Sequence, residues 1–150
     1  MATPSFRGLS PASAISSRAK QANTCVNTRH EVTLRSLLWR YGLRFRKNVK
    51  SLPGKPDIVF STARIAVFCD GDFWHGRRWR TLAKKLRGGA NAPYWLSKIQ
   101  SNRDRDQRTN RALAQAGWTV IRVWEADIKA DAEAIANSLA TRVRRSEGLR

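Results

Sequence analysis

Hydrophobic residues near the middle of the chain form two short, nearly continuous runs, Ile58–Phe60 and Ile65–Phe68. Uninterrupted β-branched and aromatic residues are typical of strands that are covered on both faces. A short polar segment separates the two runs, so together they predict a buried β-hairpin. Asp57 opens the first strand of this hairpin and Asp70 closes the second.

Apolar residues at helical spacing predict three helices around the hairpin. The first covers 28–41, where Thr28 and Glu31 match the two ends of a capping box. The second covers 93–116, between a proline that suits a first helical turn and a glycine that suits a C-terminal cap. The third covers 131–143.

Two further segments predict strands. Leu43–Val49 alternates apolar with basic residues, as a half-exposed strand does, and Trp118–Trp124 predicts another buried strand. The middle of the second helix, 102–108, is polar enough that we expect an exposed face with internal ion pairs. Elements in this order predict an α/β domain with a mixed sheet flanked by helices.

The charge of the chain indicates a polyanionic partner. The sequence has 29 Lys and Arg against 11 Asp and Glu, a net charge of +18. Residues 1–103 contain four acids, namely Glu31, Asp57, Asp70 and Asp72. A surface this basic favours nucleic acid, where released counterions supply much of the affinity. Acids kept close together in such a background are candidates for a function, and the alternative is a nucleic-acid-binding protein whose acids are structural.

Composition divides the chain into a flexible basic arm (1–23), one domain (24–143) and a basic tail (144–150). Cys25 and Cys69 predict neither a disulfide framework nor a cysteine-based zinc site. No apolar segment reaches the roughly 20 residues of a membrane span. We therefore expect a cytoplasmic protein with no membrane partner.

The acids near the hairpin predict a divalent-metal site. If a two-residue turn at Ala63–Arg64 closes the hairpin, Asp57 faces Asp70 directly, with Cβ atoms about 4.5–5.5 Å apart. Two carboxylates that close repel unless a proton or a divalent cation lies between them. Mg²⁺ prefers one or two carboxylates together with water and substrate phosphate. We expect the first helix to bring Glu31 towards the same place.

His75 and a basic segment complete the candidate site. His75 suits proton transfer because the ordinary pKa of histidine lies near 6.5. The basic segment that follows suits phosphate binding and contributes Arg77, Arg78, Lys84 and Lys85. Each feature has another interpretation: Glu31 as half of a capping box, His75 as a structural residue, and the basic segment as a solvated loop.

Three stretches carry a resemblance to a known family: LRFRKNVKSLPGKPDIVF, ARIAVFCDGDFWHG and YWLSKIQSNRDRDQRTNRALAQAGWTVIRVWE. With the first helix they span residues 24–127, in family order. The chain resembles the very short patch repair (Vsr) endonucleases, a branch of the restriction-endonuclease-like PD-(D/E)XK fold. This resemblance implies a Mg²⁺-dependent endonuclease that nicks one strand of double-stranded DNA beside a T:G mismatch, as a monomer on DNA.

The resemblance also implies roles for individual residues. Asp57 matches the family's metal-binding aspartate, and the backbone carbonyl of Cys69 takes the place of a second ligand. Glu31 matches an active-site glutamate that reaches the metal through water, and His75 matches the catalytic histidine. The basic N-terminal arm would embrace the duplex. The aromatic pair that intercalates beside the mismatch is matched by Phe73 and Trp74.

Two departures from the family change these expectations. The best-known member has a histidine at the position of Asp70, so the aspartate moves the site towards a carboxylate pair that shares the metal. A structural zinc site of the family uses positions that here read Asp72, Arg77, Trp79 and Ala126. We therefore expect Mg²⁺ and no structural zinc. The alternatives are a related PD-(D/E)XK nuclease without mismatch preference, serving DNA defence for example, and an inactive DNA-binding module.

Overall fold

The structure, a computed structural model, describes residues 28–148. The elements of this part of the chain are α1 (Arg29–Arg40), β1 (Arg46–Lys47), β2 (Ile58–Phe60), β3 (Ile65–Asp70), α2 (Trp79–Arg87), α3 (Ala92–Gln115), β4 (Thr119–Trp124) and α4 (Glu125–Gly148). The strands form one sheet in the order β1-β2-β3-β4. The first two pairings are antiparallel and β3 pairs with β4 in parallel. The predicted α/β class and mixed sheet, as in restriction-endonuclease-like proteins, are confirmed.

Helices cover both faces of the sheet, which explains the continuous apolar strands. On one face, α1 and α4 pack on a core that includes Leu38, Val67 and Val143. On the other face, α3 packs through Leu113 against Phe68. Because β3 is covered on both sides, its residues stay apolar until Asp70, which is buried at the carboxyl end of the strand.

The predicted direct pairing of Asp57 with Asp70 is wrong, because the hairpin has a four-residue loop. Phe60 pairs with Ile65 and Ile58 with Val67. The same register places Asp57 opposite the residue two positions before Asp70. Arg64 ends the loop in the left-handed conformation, with φ of 54°, and its N–H donates to the Ser61 carbonyl. This segment lacks the Gly or Asn that favours a two-residue turn.

Side-chain hydrogen bonds fix the longer loop against the neighbouring strand. The Arg64 guanidinium donates to the carbonyls of Ala116 (2.7 Å) and Gly117 (3.3 Å), and the Arg64 carbonyl accepts from Thr119 N–H at 2.8 Å. The observed register keeps Asp57 and Asp70 near the same end of the sheet, in a diagonal rather than a direct relation.

The predicted helices are confirmed, with changes at their ends. Thr28 caps α1, since its hydroxyl accepts from Glu31 N–H at 3.4 Å. The last helix is longer than its apolar pattern, running from Glu125 to Gly148, and Asp131 interrupts it with non-helical backbone. Asp131 then caps the second part by accepting from Ala134 N–H at 3.0 Å.

The predicted strand Leu43–Val49 pairs with β2 only at Arg46–Lys47. Asn48, with φ of 49°, bends the chain out of the strand, although its N–H still donates to the Asp57 carbonyl. The arm predicted at 1–23 lies outside the described residues. In the part of the chain that is described, no helix is both long and apolar enough for a membrane span.

Candidate active site

The antiparallel pairing of β2 with β3 brings Asp57 beside the end of β3. The Cys69 N–H donates to Asp57 Oδ2 at 2.7 Å, so the carboxylate is held at the edge of the hairpin. Burial raises the pKa of the Cys69 thiol far above its ordinary value, and the charge of Asp57 adds to that effect. The thiol therefore stays neutral, as expected of a small hydrophobic residue, and its backbone is the part that meets the acids.

Glu31 lies in the first turn of α1 and is 3% exposed. Its Oε2 is 3.6 Å from Arg35 Nη1, one helical turn further on. Burial raises the pKa of Asp57 to about 7, and the charges of Glu31 and Asp70 add to the rise. The Cys69 hydrogen bond and the charge of Arg35 oppose it. Asp57 itself makes no ion pair with any residue of 28–148.

The Asp57–Glu31 pair fits a divalent cation. Two acids with buried or half-buried carboxylates lie near enough in a chain of net charge +18 for the charge of Glu31 to raise the pKa of Asp57. Mg²⁺ takes oxygen ligands of this kind, and a carbonyl at Cys69 belongs to the same class of donor.

Asp70, at the carboxyl end of β3, already has cationic partners. Arg122 Nη1 donates to both Asp70 oxygens, at 3.0 and 2.9 Å, and lies 3.6 Å from Asp106 Oδ1. His75 Nδ1 is 2.5 Å from Asp106 Oδ2 and 3.8 Å from Asp70 Oδ1. The four side chains form a closed network in which two carboxylates are shared by one guanidinium and one imidazole.

The network raises the pKa of His75. Burial by itself lowers this pKa, but the Asp106 hydrogen bond and the charges of Asp70 and Asp106 outweigh burial and the opposing charge of Arg122. Burial also raises the pKa of Asp70, and the charges of His75 and Arg122 limit that rise. Since Asp106 holds Nδ1, Nε2 is the ring nitrogen of His75 that is left for a substrate.

Asp70, His75 and Asp106 also satisfy the spacing of a possible metal site, with donor atoms within 4.8 Å of one another. Among the described residues this is the one such group of three. Arg122, however, holds both Asp70 oxygens. The predicted sharing of a metal ion by Asp57 and Asp70 stays a prediction.

Sequence reasoning missed Asp106 and Arg122. Asp106 was expected on an exposed polar face, yet it lies on the same stripe of α3 as the buried Ile99 and Asn102. The signal was the helical spacing of three, four and seven residues from Ile99 through Asn102 and Asp106 to Leu113, which local polarity alone does not reveal. Arg122 was a charged residue inside a buried strand, and such a residue normally has a partner.

The loop after β3 carries the candidate histidine and is packed tightly on α3. Asn102 Nδ2 donates to the Trp74 carbonyl at 2.7 Å. Gly76 has φ of 66°, and a Cβ there would lie 2.9 Å from Ile99 Cγ2, so only glycine fits this turn without a shift. His75, between these two anchors, is therefore fixed relative to α3 and to Asp106.

The opposite side of the loop is held by the first turn of α4. Ala126 N–H donates to Asp72 Oδ1 at 3.2 Å, and Arg77 joins Asp72 (3.3 Å) to Asp127 (3.0 Å). The guanidinium also lies over the Trp124 ring. Three of the four positions that match the family's zinc ligands, Asp72, Arg77 and Ala126, thus make polar contacts with one another or with α4. The expected absence of a structural zinc stays a prediction. The role of Arg77 in DNA binding also stays a prediction, since its charge is already paired.

The predicted wedge residues lie in an aromatic cluster at the surface of the loop. Phe73 is 37% exposed and makes edge-to-face contacts with Trp74 and Trp95. A part-exposed aromatic cluster beside the candidate histidine suits stacking on bases. The predicted phosphate-binding residues Arg78, Lys84 and Lys85 are exposed on and before α2.

Comparison with known proteins defines the family. Residues 12–81 match the family model described as DNA mismatch endonuclease Vsr. The type II nicking enzyme V.NmeDIP of Neisseria meningitidis serogroup C is 36% identical over 132 residues, 88% of this chain and 88% of that protein. The chain belongs to the Vsr family. It is therefore a DNA endonuclease.

Other Vsr-family relatives agree with this assignment. The type II nicking enzyme V.XorIIP of Xanthomonas oryzae pv. oryzae is 47% identical over 104 residues, 68% of this chain and 73% of that protein. The DNA mismatch endonuclease Vsr of Escherichia coli K12 is 37% identical over 103 residues, 69% of this chain and 64% of that protein. A Vsr-family nuclease acts on DNA, and the acids described above fit its use of a divalent metal.

Proposed function

We propose that this Vsr-family endonuclease nicks one strand of double-stranded DNA beside a T:G mismatch, as a monomer, using Mg²⁺. The observation that carries the proposal is the group of acids at this end of the hairpin: Cys69 N–H holds Asp57, and His75 lies between Asp70 and Asp106. The charges of Glu31 and Asp70 both raise the pKa of Asp57. Support for the mismatch comes from the name of the E. coli relative and from the part-exposed Phe73.

Asp57, the backbone carbonyl of Cys69 and, through water, Glu31 are the groups that would hold Mg²⁺. When bound, the ion supplies charge neutralisation at the phosphate and a more acidic water. Asp57 is the anchor of this set because Cys69 N–H fixes one carboxylate oxygen and leaves the other for a ligand. Asp70 supports the site from its own pair with Arg122.

His75 is assigned the proton transfer. In hydrolysis, the oxygen of water bonds to phosphorus while the bond from phosphorus to the leaving sugar oxygen breaks. The water gives up a proton, for which the Glu31 carboxylate is proposed, and the leaving oxygen gains one from His75 Nε2. The raised pKa of His75 keeps the imidazole protonated at higher pH than usual, as a general acid requires.

Basic and aromatic side chains would hold the duplex over these groups. Arg78, Lys84 and Lys85 project from the exposed side of the segment around α2 and suit backbone phosphates. Phe73 and Trp74 suit insertion next to an unstable base pair, since a mismatch lowers the cost of unstacking.

Cleavage of labelled duplexes tests the proposal. Two duplexes that differ in one T:G or T:A pair carry a different fluorophore on each strand and are incubated with Mg²⁺ and the full chain. We expect one strand of the T:G duplex to be nicked, and Asp57→Asn to bind it without nicking. Asp104→Asn is the matched control, because Asp104 pairs with Gln100 on the surface of α3.

The outcomes separate the candidate functions. Equal rates on both duplexes contradict the mismatch assignment and support the related nuclease without mismatch preference. Binding of both duplexes with no nicking by any variant contradicts the metal assignment and supports the inactive module. Cutting of both strands contradicts the nicking assignment.

A further inference from the structure

The side chain of Arg122 lies inside the candidate site although it belongs to a buried strand. Arg122 pairs with Phe68 across the parallel β3–β4 ladder, two residues before the end of each strand. Its side chain is 18% exposed and points to the face where His75 and Asp106 lie. This places a fixed positive charge beside the candidate general acid.

Three partners orient the guanidinium. Asp70 accepts from Nη1 through both oxygens, Asn110 Oδ1 accepts from Nε at 2.8 Å, and the Phe68 ring lies 4.2 Å below the guanidinium carbon. Within residues 28–148, Nη2 donates no hydrogen bond. An arginine held through Nε and Nη1 presents its remaining N–H groups in a fixed direction, without the entropy cost of ordering a free side chain.

His75 and Arg122 share the same two carboxylates, so they flank one small region. The donor atoms of Asp70, His75 and Asp106 lie within 4.8 Å of one another, and Arg122 Nη1 contacts both acids. Because these atoms contact one another, the donors that remain for a substrate within residues 28–148 are His75 Nε2 and Arg122 Nη2. One phosphodiester that lies against both side chains can meet the imidazole at its leaving oxygen and the guanidinium at a non-bridging oxygen.

We propose that Arg122 is a catalytic residue whose guanidinium contacts a non-bridging oxygen of the phosphate that is cut. Negative charge accumulates on these oxygens as water attacks, and a pre-oriented guanidinium stabilises that charge without rearranging. Asp70 is then a positioning residue that holds Arg122. This inference rests on the endonuclease activity and not on the mismatch preference.

A chemical double-mutant cycle between Arg122 and the phosphate tests the proposal. The nicked position is first mapped with the unmodified chain, and a second duplex then carries an uncharged methylphosphonate there. Affinities for both duplexes are measured with Ca²⁺ for the unmodified chain, Arg122→Gln and Arg122→Lys. Arg64→Gln is the matched control, because Arg64 serves the hairpin loop and bonds backbone carbonyls there.

Loss of the phosphate charge is expected to weaken binding of the unmodified chain by about tenfold or more, and to weaken Arg122→Gln far less. The single-turnover rate on normal duplex is expected to fall by about 10²–10³ in Arg122→Gln. Arg122→Lys is expected to be faster than Arg122→Gln and slower than the unmodified chain, because lysine keeps the positive charge but lacks the planar set of N–H donors of the guanidinium.

The same weakening by methylphosphonate in the unmodified chain and in Arg122→Gln would overturn the proposal. Arg122 would then serve only to neutralise Asp70 and Asp106. If thermal melting shows that Arg122→Gln is unfolded, the pair Asp70→Asn with Arg122→Gln removes the buried charge imbalance. The weakening by methylphosphonate is then measured for that double variant. Far less weakening than in the unmodified chain supports the proposal, and equal weakening overturns it.

Discussion

Asp57 and Asp70 stand at the same end of one hairpin, yet the protein provides for their charges in different ways. Asp70 is held by Arg122 at 2.9 Å and shares His75 with Asp106. Asp57 accepts from a backbone N–H and is affected by the charges of Glu31 and Arg35, and burial raises its pKa to about 7. Asp70 is thus paired with cations of the chain itself, and we propose that Asp57 takes a metal cation.

This difference teaches that a pair of acids near each other need not be one site. An ionised carboxylate in a buried place costs free energy unless a partner is present. A buried carboxylate that is paired with a cationic side chain can orient that side chain. A buried carboxylate without such a partner is better suited to binding a metal ion.

Asp57→Asn is expected to reduce the nicking rate by about 10³ or more, because the amide cannot hold Mg²⁺ as a carboxylate does. Asp70→Asn is expected to cost about 10-fold to 100-fold, through a less well oriented Arg122. Single-turnover nicking with saturating enzyme measures both. A larger loss for Asp70→Asn than for Asp57→Asn would reverse the comparison.

His75→Ala is expected to lower the single-turnover rate by about 10², the usual contribution of a general acid. Asp106→Asn removes the hydrogen bond that raises the pKa of His75. The imidazole then loses its proton at lower pH, so the alkaline decline of kcat should move to lower pH. An unchanged pH profile in Asp106→Asn would show that Asp106 does not set the protonation of His75.

Stability without metal is expected to depend on pH through Asp57. The pKa of this carboxyl is 3.8 in an unfolded chain and about 7 in the folded protein. Between these values the folded state holds a proton that the unfolded state has lost, so the free energy of unfolding decreases as pH rises through the window. Melting temperatures from pH 4 to pH 8 measure this.

Mg²⁺ should raise the melting temperature more at pH 8 than at pH 5, because at pH 5 it competes with the proton on Asp57. Asp57→Asn should remove both the decline and the pH-dependent gain, whereas Asp104→Asn should keep them. Equal gains from Mg²⁺ at both pH values would contradict the assignment of the ion to Asp57.

The smallest effects are expected outside the two carboxylate groups. Lys84→Met and Lys85→Met should each lower the salt dependence of DNA binding, with the slope of log K against log salt falling by about 0.9 per lost phosphate contact. Arg77→Met should leave that slope unchanged and lower the melting temperature slightly, because its charge is paired with Asp72 and Asp127. A lower slope in Arg77→Met would instead support its predicted contact with DNA.

Much of this arrangement could be predicted from sequence because it rests on local patterns. Three features have a short-range physical cause: the capping box at Thr28, the apolar strand that precedes Asp70, and the glycine that follows α3. The resemblance then assigned Asp57 and His75 to one site. These are positions where residue type and immediate neighbours decide the structure.

The remainder depends on contacts between distant segments. The hairpin register was set by Arg64 bonding carbonyls more than fifty residues later, which a turn rule does not include. Asp106 and Arg122 are joined to His75 and Asp70 across 31 and 52 positions of sequence. From polarity alone, Asp106 is equally compatible with an exposed helix face, and Arg122 with the exposed side of a strand. Only the packing of α3 against β4 brings them into contact with His75 and Asp70.

Binding of Mn²⁺ in place of Mg²⁺, followed by electron paramagnetic resonance at pH 8 without DNA, tests the central claim most directly. We expect Asp57→Asn to abolish Mn²⁺ binding, and Asp70→Asn to bind Mn²⁺ with nearly the affinity of the unmodified chain. Loss of binding in Asp70→Asn with binding retained in Asp57→Asn would contradict it.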